Sequence, residues 1–208
     1  MNNTKNASTQ AVKRKKIDKR KSKLLPLLIG FAAAVAVLVL VLLLTGKKEQ
    51  QVKYYPMEYT DLIIENAEQN GIEPAYVASV VCAESDYDAN ALSSAGAQGL
   101  MQLLPDTAQW IAPKFDEVYV EGCLYTPEVN LKYGCWYLGY LMRRFNNDMT
   151  CATAAYHAGQ GTVDQWLANP EYSSDGAHLD VVPGERTSGY VERVLEYYEV
   201  YSKKYAEI

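Results

Sequence analysis

Apolar and polar positions divide the chain into two unlike parts. Positions 24–44 read LLPLLIGFAAAVAVLVLVLLL, 21 residues without a charge. At a rise of about 1.5 Å per residue this run makes a helix about 30 Å long, the thickness of one hydrocarbon core. Pro26 falls in its first turn, where a missing N–H costs little. A cleaved signal peptide has a shorter apolar stretch and ends at a small-residue site. Here the run stops at Thr45-Gly46-Lys47-Lys48 without such a site. The pattern predicts an uncleaved transmembrane anchor.

Beyond the anchor, apolar residues recur at helical spacing between breakers. A helix is predicted over 59–70, with Leu62, Ile63 and Ile64 facing a core and Gly71 as its stop. Pro74 suits the first turn of a second helix, 74–84, whose buried face is marked by Val77, Val80 and Val81. Positions 89–103 are small and Gly-rich and read as a loop with at most a small β-hairpin. A short helix follows at 105–111. The longest amphipathic run, 126–145, repeats Val129, Tyr133, Trp136, Tyr137, Tyr140 and Leu141 on its predicted core face. A small-residue helix at 151–157 ends at Gly159 and Gly161, and another starts at 162–167. Positions 169–189 read as a long polar loop. A last helix, 190–205, carries Val191, Val194, Leu195, Tyr198 and Tyr201. The class expected is mainly α.

Charge sharpens the division. Positions 1–23 hold nine Lys/Arg against the single acid Asp18, a charge of +8, so the rest of a chain with net charge −5 carries −13. Basic residues before the anchor put the N-terminus in the cytoplasm and the remainder outside. The expected organisation is a basic cytoplasmic tail (1–23), a transmembrane anchor (24–44), a polar linker (45–56) and one external domain (57–208), a size that suits a single core. An acidic domain of this kind is not a nucleic-acid binder. The four cysteines, Cys82, Cys123, Cys135 and Cys151, allow three full pairings outside the membrane, or serve as buried thiols. Neither their spacing nor the two histidines, His157 and His178, make a zinc site, and no metal or cofactor is expected.

The residue with most chemistry is Glu84. It lies 7, 4 and 3 positions after Val77, Val80 and Val81, so it projects from the same apolar side. Desolvation there raises a carboxyl pKa, and a carboxyl protonated near neutral pH is what glycosidic cleavage needs as general acid. Periodicity alone equally allows a Glu at a helix end that turns out to solvent.

The company of Glu84 narrows this. Ala83-Glu84-Ser85 is followed by Ser93, by Gly99-Leu100-Met101-Gln102-Leu103-Leu104-Pro105, by Ala154-Ala155-Tyr156-His157-Ala158-Gly159-Gln160-Gly161, and by Tyr190-Val191-Glu192-Arg193-Val194-Leu195. This ordered series, spread over about 58–203, resembles the soluble-lytic-transglycosylase (SLT) domain, a lysozyme-like fold related to goose-type lysozyme. The resemblance implies a peptidoglycan lytic transglycosylase that cleaves MurNAc-(β1,4)-GlcNAc bonds and leaves a 1,6-anhydro sugar. It implies Glu84 as general acid and then base, Ser93 at the substrate acetamido group, Gln102 in the sugar groove, and Tyr156 near the catalytic carboxyl. The implied partners are peptidoglycan glycan strands. Wall remodelling and local opening of the wall for an envelope-spanning apparatus both remain compatible. Seventeen tyrosines and three tryptophans suit a sugar groove, although most of them must pack the core.

Three positions depart from the family pattern: His157 stands where asparagine is usual, Leu104 where methionine is common, and Arg186 where a glutamate is expected, with Glu185 one residue away. A hydrolytic muramidase stays open, with Asp86, Asp88 or Asp175 as the second acid it would need. So does a peptidoglycan-binding module without turnover. In S-S-A-G, Ser93 can instead shape a turn, and Gln102 can instead bond backbone.

Overall fold

The computed structural model describes residues 55–207. The tail at 1–23, the anchor expected at 24–44 and the linker up to residue 54 lie outside the described residues. Among the described residues no helix is long and apolar enough to cross a membrane.

The described chain folds as α-helices joined by turns: α1 (Thr60–Asn70), α2 (Pro74–Ser85), α3 (Pro105–Ile111), α4 (Pro127–Arg144), α5 (Met149–Ala158), α6 (Gln160–Leu167) and α7 (Glu185–Tyr205). Two 3-10 turns, Ala112–Phe115 and Cys123–Tyr125, lie between α3 and α4. In place of the small hairpin at 89–103 there are two isolated antiparallel bridges, Leu92 with Gln98 and Gln98 with Leu103.

α2 is the centre. Every residue from Ala75 to Cys82 is buried, as expected of a helix that is apolar all round. The expected single buried face of Val77, Val80 and Val81 is therefore too narrow. Its largest partner is α7, which buries Thr187, Tyr190, Val191, Val194, Tyr197 and Tyr201 along one stripe. The Tyr76 hydroxyl and Thr153 Oγ1, 2.8 Å apart, tie α2 to α5 inside this core. Tyr55 and Pro56 pack as part of the domain: the Tyr201 hydroxyl donates to the Pro56 carbonyl at 2.9 Å, and Lys204 Nζ to the Tyr55 carbonyl at 2.9 Å.

A smaller apolar cluster of Leu103, Ala108, Ile111, Ala112, Leu124 and Tyr133 forms around α3 and the 3-10 turns. Tyr137 and Tyr156 border both clusters, so they mark the seam between them.

One buried face and three boundaries differ from the sequence reading. α4 buries Leu131, Cys135, Leu138 and Leu141, whereas Val129, Trp136, Tyr137 and Tyr140 are only half-buried. The helix is covered on two sides, so its aromatic stripe is a wall of the seam and not the main core face. α5 starts earlier, at Met149, because the Asp148 side chain caps it by accepting the Cys151 amide at 2.8 Å. Gly159 alone breaks the chain, and Gly161 lies within the first turn of α6. α7 starts five residues early, at Glu185; its exposed Glu185 and Arg186 make that turn look like loop in sequence, while Thr187 between the helix and the core is buried. Cys135 and Cys151 are buried thiols, and Cys82, also buried, places Sγ 3.7 Å from Asp86 Oδ1.

Candidate active site

Glu84 occupies the last turn of α2, where the buried helix emerges. Asp86 ends the helix in the left-handed region at φ 52°. Half-buried in this position, Glu84 is desolvated, and its carboxyl is pushed up to about 7; the Tyr190 hydroxyl and the Arg193 charge oppose that shift without cancelling it. Tyr190, from α7, donates its hydroxyl to Glu84 Oε1 at 2.7 Å. Its own phenol is held well above the ordinary range, by burial first and then by the Glu84 charge. Tyr156, from α5, is raised by the same two causes, so it lies within electrostatic reach of Glu84.

The residue after Glu84 fixes the floor. Ser85 Oγ donates to the Leu100 carbonyl at 2.8 Å, and the Tyr156 hydroxyl donates to the Met101 carbonyl at 2.7 Å. From α4, the fully buried Asn130 accepts the Met101 amide at 2.8 Å and donates to the carbonyls of Gln98 and Leu124 at 2.9 and 2.7 Å. Three helices thus hold the 98–103 turn through side chains. The approach is close enough to require glycine: a Cβ on Gly99, whose φ is +74°, would lie 2.2 Å from the Leu124 carbonyl oxygen, and one on Gly134 would lie 2.2 Å from Met101 Sδ.

Gln102 sits in the same turn at φ 47°. Its Nε2 donates to the carbonyls of Ala91 and Gly99 at 3.1 and 3.0 Å. Both amide donors are thereby used, which leaves the acceptor oxygen for anything outside. Gln102 borders a hollow of about 290 Å³ along the seam, together with Leu104, Thr107, Tyr137, Tyr156 and His157. Ser93 is bonded differently. Its Oγ accepts the Ala97 amide at 3.0 Å and closes the 93–97 turn, the turn-shaping role left open by the sequence.

His157 stacks on Tyr190, with ring centroids 4.7 Å apart and planes 25° apart, and its Nδ1 lies 3.2 Å from Thr187 Oγ1. Burial, then Arg186 and Arg193, holds its pKa below the ordinary imidazole value. Arg186 therefore acts on the His157 end of the site through its charge, while its neighbour Glu185 is exposed at the start of α7.

None of the three acids considered as a second carboxyl is among the groups that shift Glu84. Asp86 is exposed at the end of α2. Asp88 accepts the Asn90 amide at 2.8 Å. Asp175 accepts the amides of Ala177 and His178 and faces the His178 ring at 2.7 Å. The only side-chain charge acting on Glu84 to a marked degree among the described residues is Arg193. No three His, Cys, Asp or Glu among the described residues cluster so as to hold a metal ion. The arrangement is a single carboxyl, protonated in part near neutral pH and hydrogen-bonded to Tyr190, whose ring stacks on His157 of the polar-rimmed hollow.

Two residues of this arrangement were not singled out in the sequence. Tyr190 stood within a quoted motif without a role, and its placement opposite Glu84 depends on α2 packing against α7. Asn130 carried a weak signal, a lone amide among apolar positions of a helix, where an unsatisfied side chain would be costly.

The profile of the Transglycosylase SLT domain matches residues 61–178. The soluble lytic murein transglycosylase of Salmonella typhimurium is 35% identical over 146 residues, covering 69% of this chain and 23% of that protein. The membrane-bound lytic murein transglycosylase C of Actinobacillus pleuropneumoniae is 33% identical over 116 residues, covering 51% of this chain and 32% of its own. Among solved structures, an inactive glutamate-to-glutamine mutant of lytic transglycosylase Slt from Pseudomonas aeruginosa superposes with a TM-score of 0.67 at 32% identity, over 73% of this chain and 25% of that one. This chain spans under a third of the length of these relatives. With the profile over more than half of its residues and an all-helical, lysozyme-like fold to match, the chain belongs to the transglycosylase SLT domain family.

Proposed function

We propose that the domain is a lytic transglycosylase that cuts MurNAc-(β1,4)-GlcNAc bonds of peptidoglycan, with Glu84 as the one acid and base. The observation that carries the reading is the state of Glu84: a carboxyl raised to about 7 by burial and hydrogen-bonded by Tyr190, with no carboxylate among the described residues acting on its pKa to a marked degree. A paired-carboxylate mechanism needs a second acid about 5–9.5 Å away, and substrate assistance removes that need.

In the first step Glu84 gives its proton to the glycosidic oxygen as the bond from C1 to that oxygen breaks. The substrate's acetamido group stabilises C1. Glu84, now a carboxylate, takes the proton of the C6 hydroxyl, whose oxygen closes onto C1. The product is a 1,6-anhydro sugar, no water is consumed, and Glu84 returns protonated. The Tyr190 hydrogen bond and the Arg193 charge favour the carboxylate form, so they assist the half of the cycle in which Glu84 is ionised. Gln102, through its free acceptor, and Tyr156 bind sugar in the hollow, and Ser93 meets the acetamido group.

The proposal keeps the anchor at 24–44 and an external domain beyond it. Its support is the uncharged run and the basic residues before it; a membrane-bound name among the relatives agrees with it.

The test compares wild type with Glu84→Gln on purified peptidoglycan, with products weighed by mass spectrometry. Wild type should release fragments with anhydro ends, one water lighter than reducing ends, and Glu84→Gln should release almost none. Equal release by both proteins would sink the role of Glu84, and reducing ends from wild type would make the enzyme a muramidase.

A further inference from the structure

We infer that Trp110 and the cleft beside it form a second sugar subsite, which takes a further pyranose ring of the same glycan strand beyond the hollow of Gln102 and Tyr156. This rests on the glycan-cleaving reading above.

Trp110 projects from α3 and stays 41% exposed. It is nonetheless fixed. Its ring meets Trp136, Tyr137 and Tyr140 of α4 at 5.4, 6.1 and 5.5 Å, each at a steep angle. Trp136 and Tyr137 are in turn nearly parallel to Tyr140, at 5° and 12°. α4 thus presents a wall of aligned rings, and Trp110 lies across it. A preset aromatic surface loses little conformational freedom when a ligand docks on it.

The cleft against Trp110 has a volume of about 250 Å³ and is bounded by Asp106, Thr107, Trp110, Tyr137 and Gln160. Two aromatic rings with a carboxylate, a hydroxyl and an amide match a pyranose, which offers an apolar C–H face and a rim of hydroxyls. The Tyr140 hydroxyl donates to Gln160 Oε1 at 2.9 Å, which orients the amide and leaves its NH2 as donor.

Continuity identifies the occupant. Thr107 and Tyr137 line this cleft and also the 290 Å³ hollow of Gln102 and Tyr156. Each space is smaller than an ordinary ligand pocket of about 300–1,000 Å³, so more than one ring is accommodated only by using both. A strand lying in the first hollow reaches Trp110 by continuing along the wall they share. Asp106 makes the cleft a poor place for the anionic peptide stem and leaves it suited to a neutral sugar.

The experiment measures kcat/KM for wild type, Trp110→Ala and Trp110→Phe on stem-free glycan strands graded by length, together with binding of the same strands to Glu84→Gln and to the Glu84→Gln, Trp110→Ala double variant. Melting curves check that the variants are folded. For Trp110→Ala the loss should grow with length, from at most about twofold on the shortest strand that is cleaved to about tenfold on the longest, with the same trend in binding. Trp110→Phe, which keeps a flat ring, should recover most of it. A loss independent of length, or none at any length, overturns the subsite, as does a loss seen only when peptide stems are retained. Wild type that cleaves no strand would instead overturn the underlying reading of the domain.

Discussion

Glu84 and Asp175 are both carboxyls that receive hydrogen bonds, yet the fold drives them in opposite directions. Glu84 has one donor, Tyr190, and is desolvated at the end of a buried helix; its pKa rises to about 7. Asp175 is exposed in the 169–184 loop and takes the His178 ring and the amides of Ala177 and His178; its pKa is driven well below the usual carboxylate range. The number of donors does not explain this alone. At the exposed Asp175 the hydrogen bonds outweigh a smaller loss of hydration. At Glu84, in the last turn of α2, the loss of hydration outweighs one good hydrogen bond. The first group is poised to exchange protons near neutrality. The second is a fixed anion that organises a loop.

The contrast is tested most severely at Glu84. Replacing it by Gln should lower turnover of peptidoglycan by about 10²–10⁴-fold, the range for a general acid and base. The same change should stabilise the protein in alkaline solution. A carboxyl of ordinary value 4.5 that rises to about 7 on folding destabilises the folded state fully above the folded pKa and not at all below the unfolded one. The penalty is ~3 kcal/mol at most. Thermal melts of both proteins should therefore coincide near pH 4 and separate by pH 8, with Glu84→Gln the higher. A variant that melts lower at pH 8 would mean the carboxylate is well solvated, and the contrast with Asp175 would collapse.

The next effect lies in the floor beneath Glu84. Asn130→Ala leaves the Met101 amide and the Leu124 carbonyl unpaired, while the Gln98 carbonyl keeps the Leu103 amide. A buried polar group left unpaired costs about 1–3 kcal/mol, so chemical denaturation should show a loss of roughly 2 kcal/mol or more, and turnover should fall with the order of the 98–103 turn. Unchanged stability would show that water replaces the amide without cost.

Tyr190→Phe probes the donor itself. The hydroxyl favours the Glu84 carboxylate, so its removal should raise the Glu84 pKa. A hydrogen bond to a charged group is worth about 1.5–3 kcal/mol, which is about 1–2 pKa units. The alkaline limb of kcat/KM against pH should move up by about that much. A limb that stays in place, or moves down, would assign the titration to another group.

These predictions draw unequally on what could be read from the chain. The helical class and the family were legible, because spacing marks helices and because E-S, G-L-M-Q, A-A-Y and Y-V recur in a fixed order. The exit of Glu84 from α2 was legible in part: helical spacing gave it an apolar side, but α2 is buried all round, and its end supplies the partial exposure. The donor was not legible, since Tyr190 and Glu84 lie 106 positions apart, and direction across that distance is set only by the packing of α7 on α2. Position 186 shows the same limit. Its alignment with a family glutamate could be read, but not that α7 already starts at Glu185, leaves Arg186 exposed and turns Thr187 toward His157. The aromatic stripe of α4 was read as core, because periodicity cannot distinguish a core face from the wall of a cleft.

The smallest effect is expected at Asp175, and it tests the other half of the comparison. The His178 pKa is raised, chiefly by its hydrogen bond to Asp175 and then by that group's charge. What this gives to stability is present below the ordinary imidazole value of 6.5 and is lost as pH rises through the folded pKa. The lowered pKa of Asp175 contributes above its ordinary 3.8 and is lost as pH falls toward the folded value. The two overlap between those ordinary values, so Asp175→Asn should lower the melting temperature most near pH 5, and less at pH 8. Both groups are exposed, so the shift should stay within a few degrees, and salt should shrink it. Asn keeps an acceptor for the Ala177 and His178 amides, which isolates the charge from the loop geometry. Peptidoglycan turnover at neutral pH should match wild type. A large loss of turnover here, with hydrolytic ends among the residual products, would make Asp175 the second acid of a muramidase. The two carboxyls would then be partners in one reaction, and their opposite shifts would be the division between acid and base.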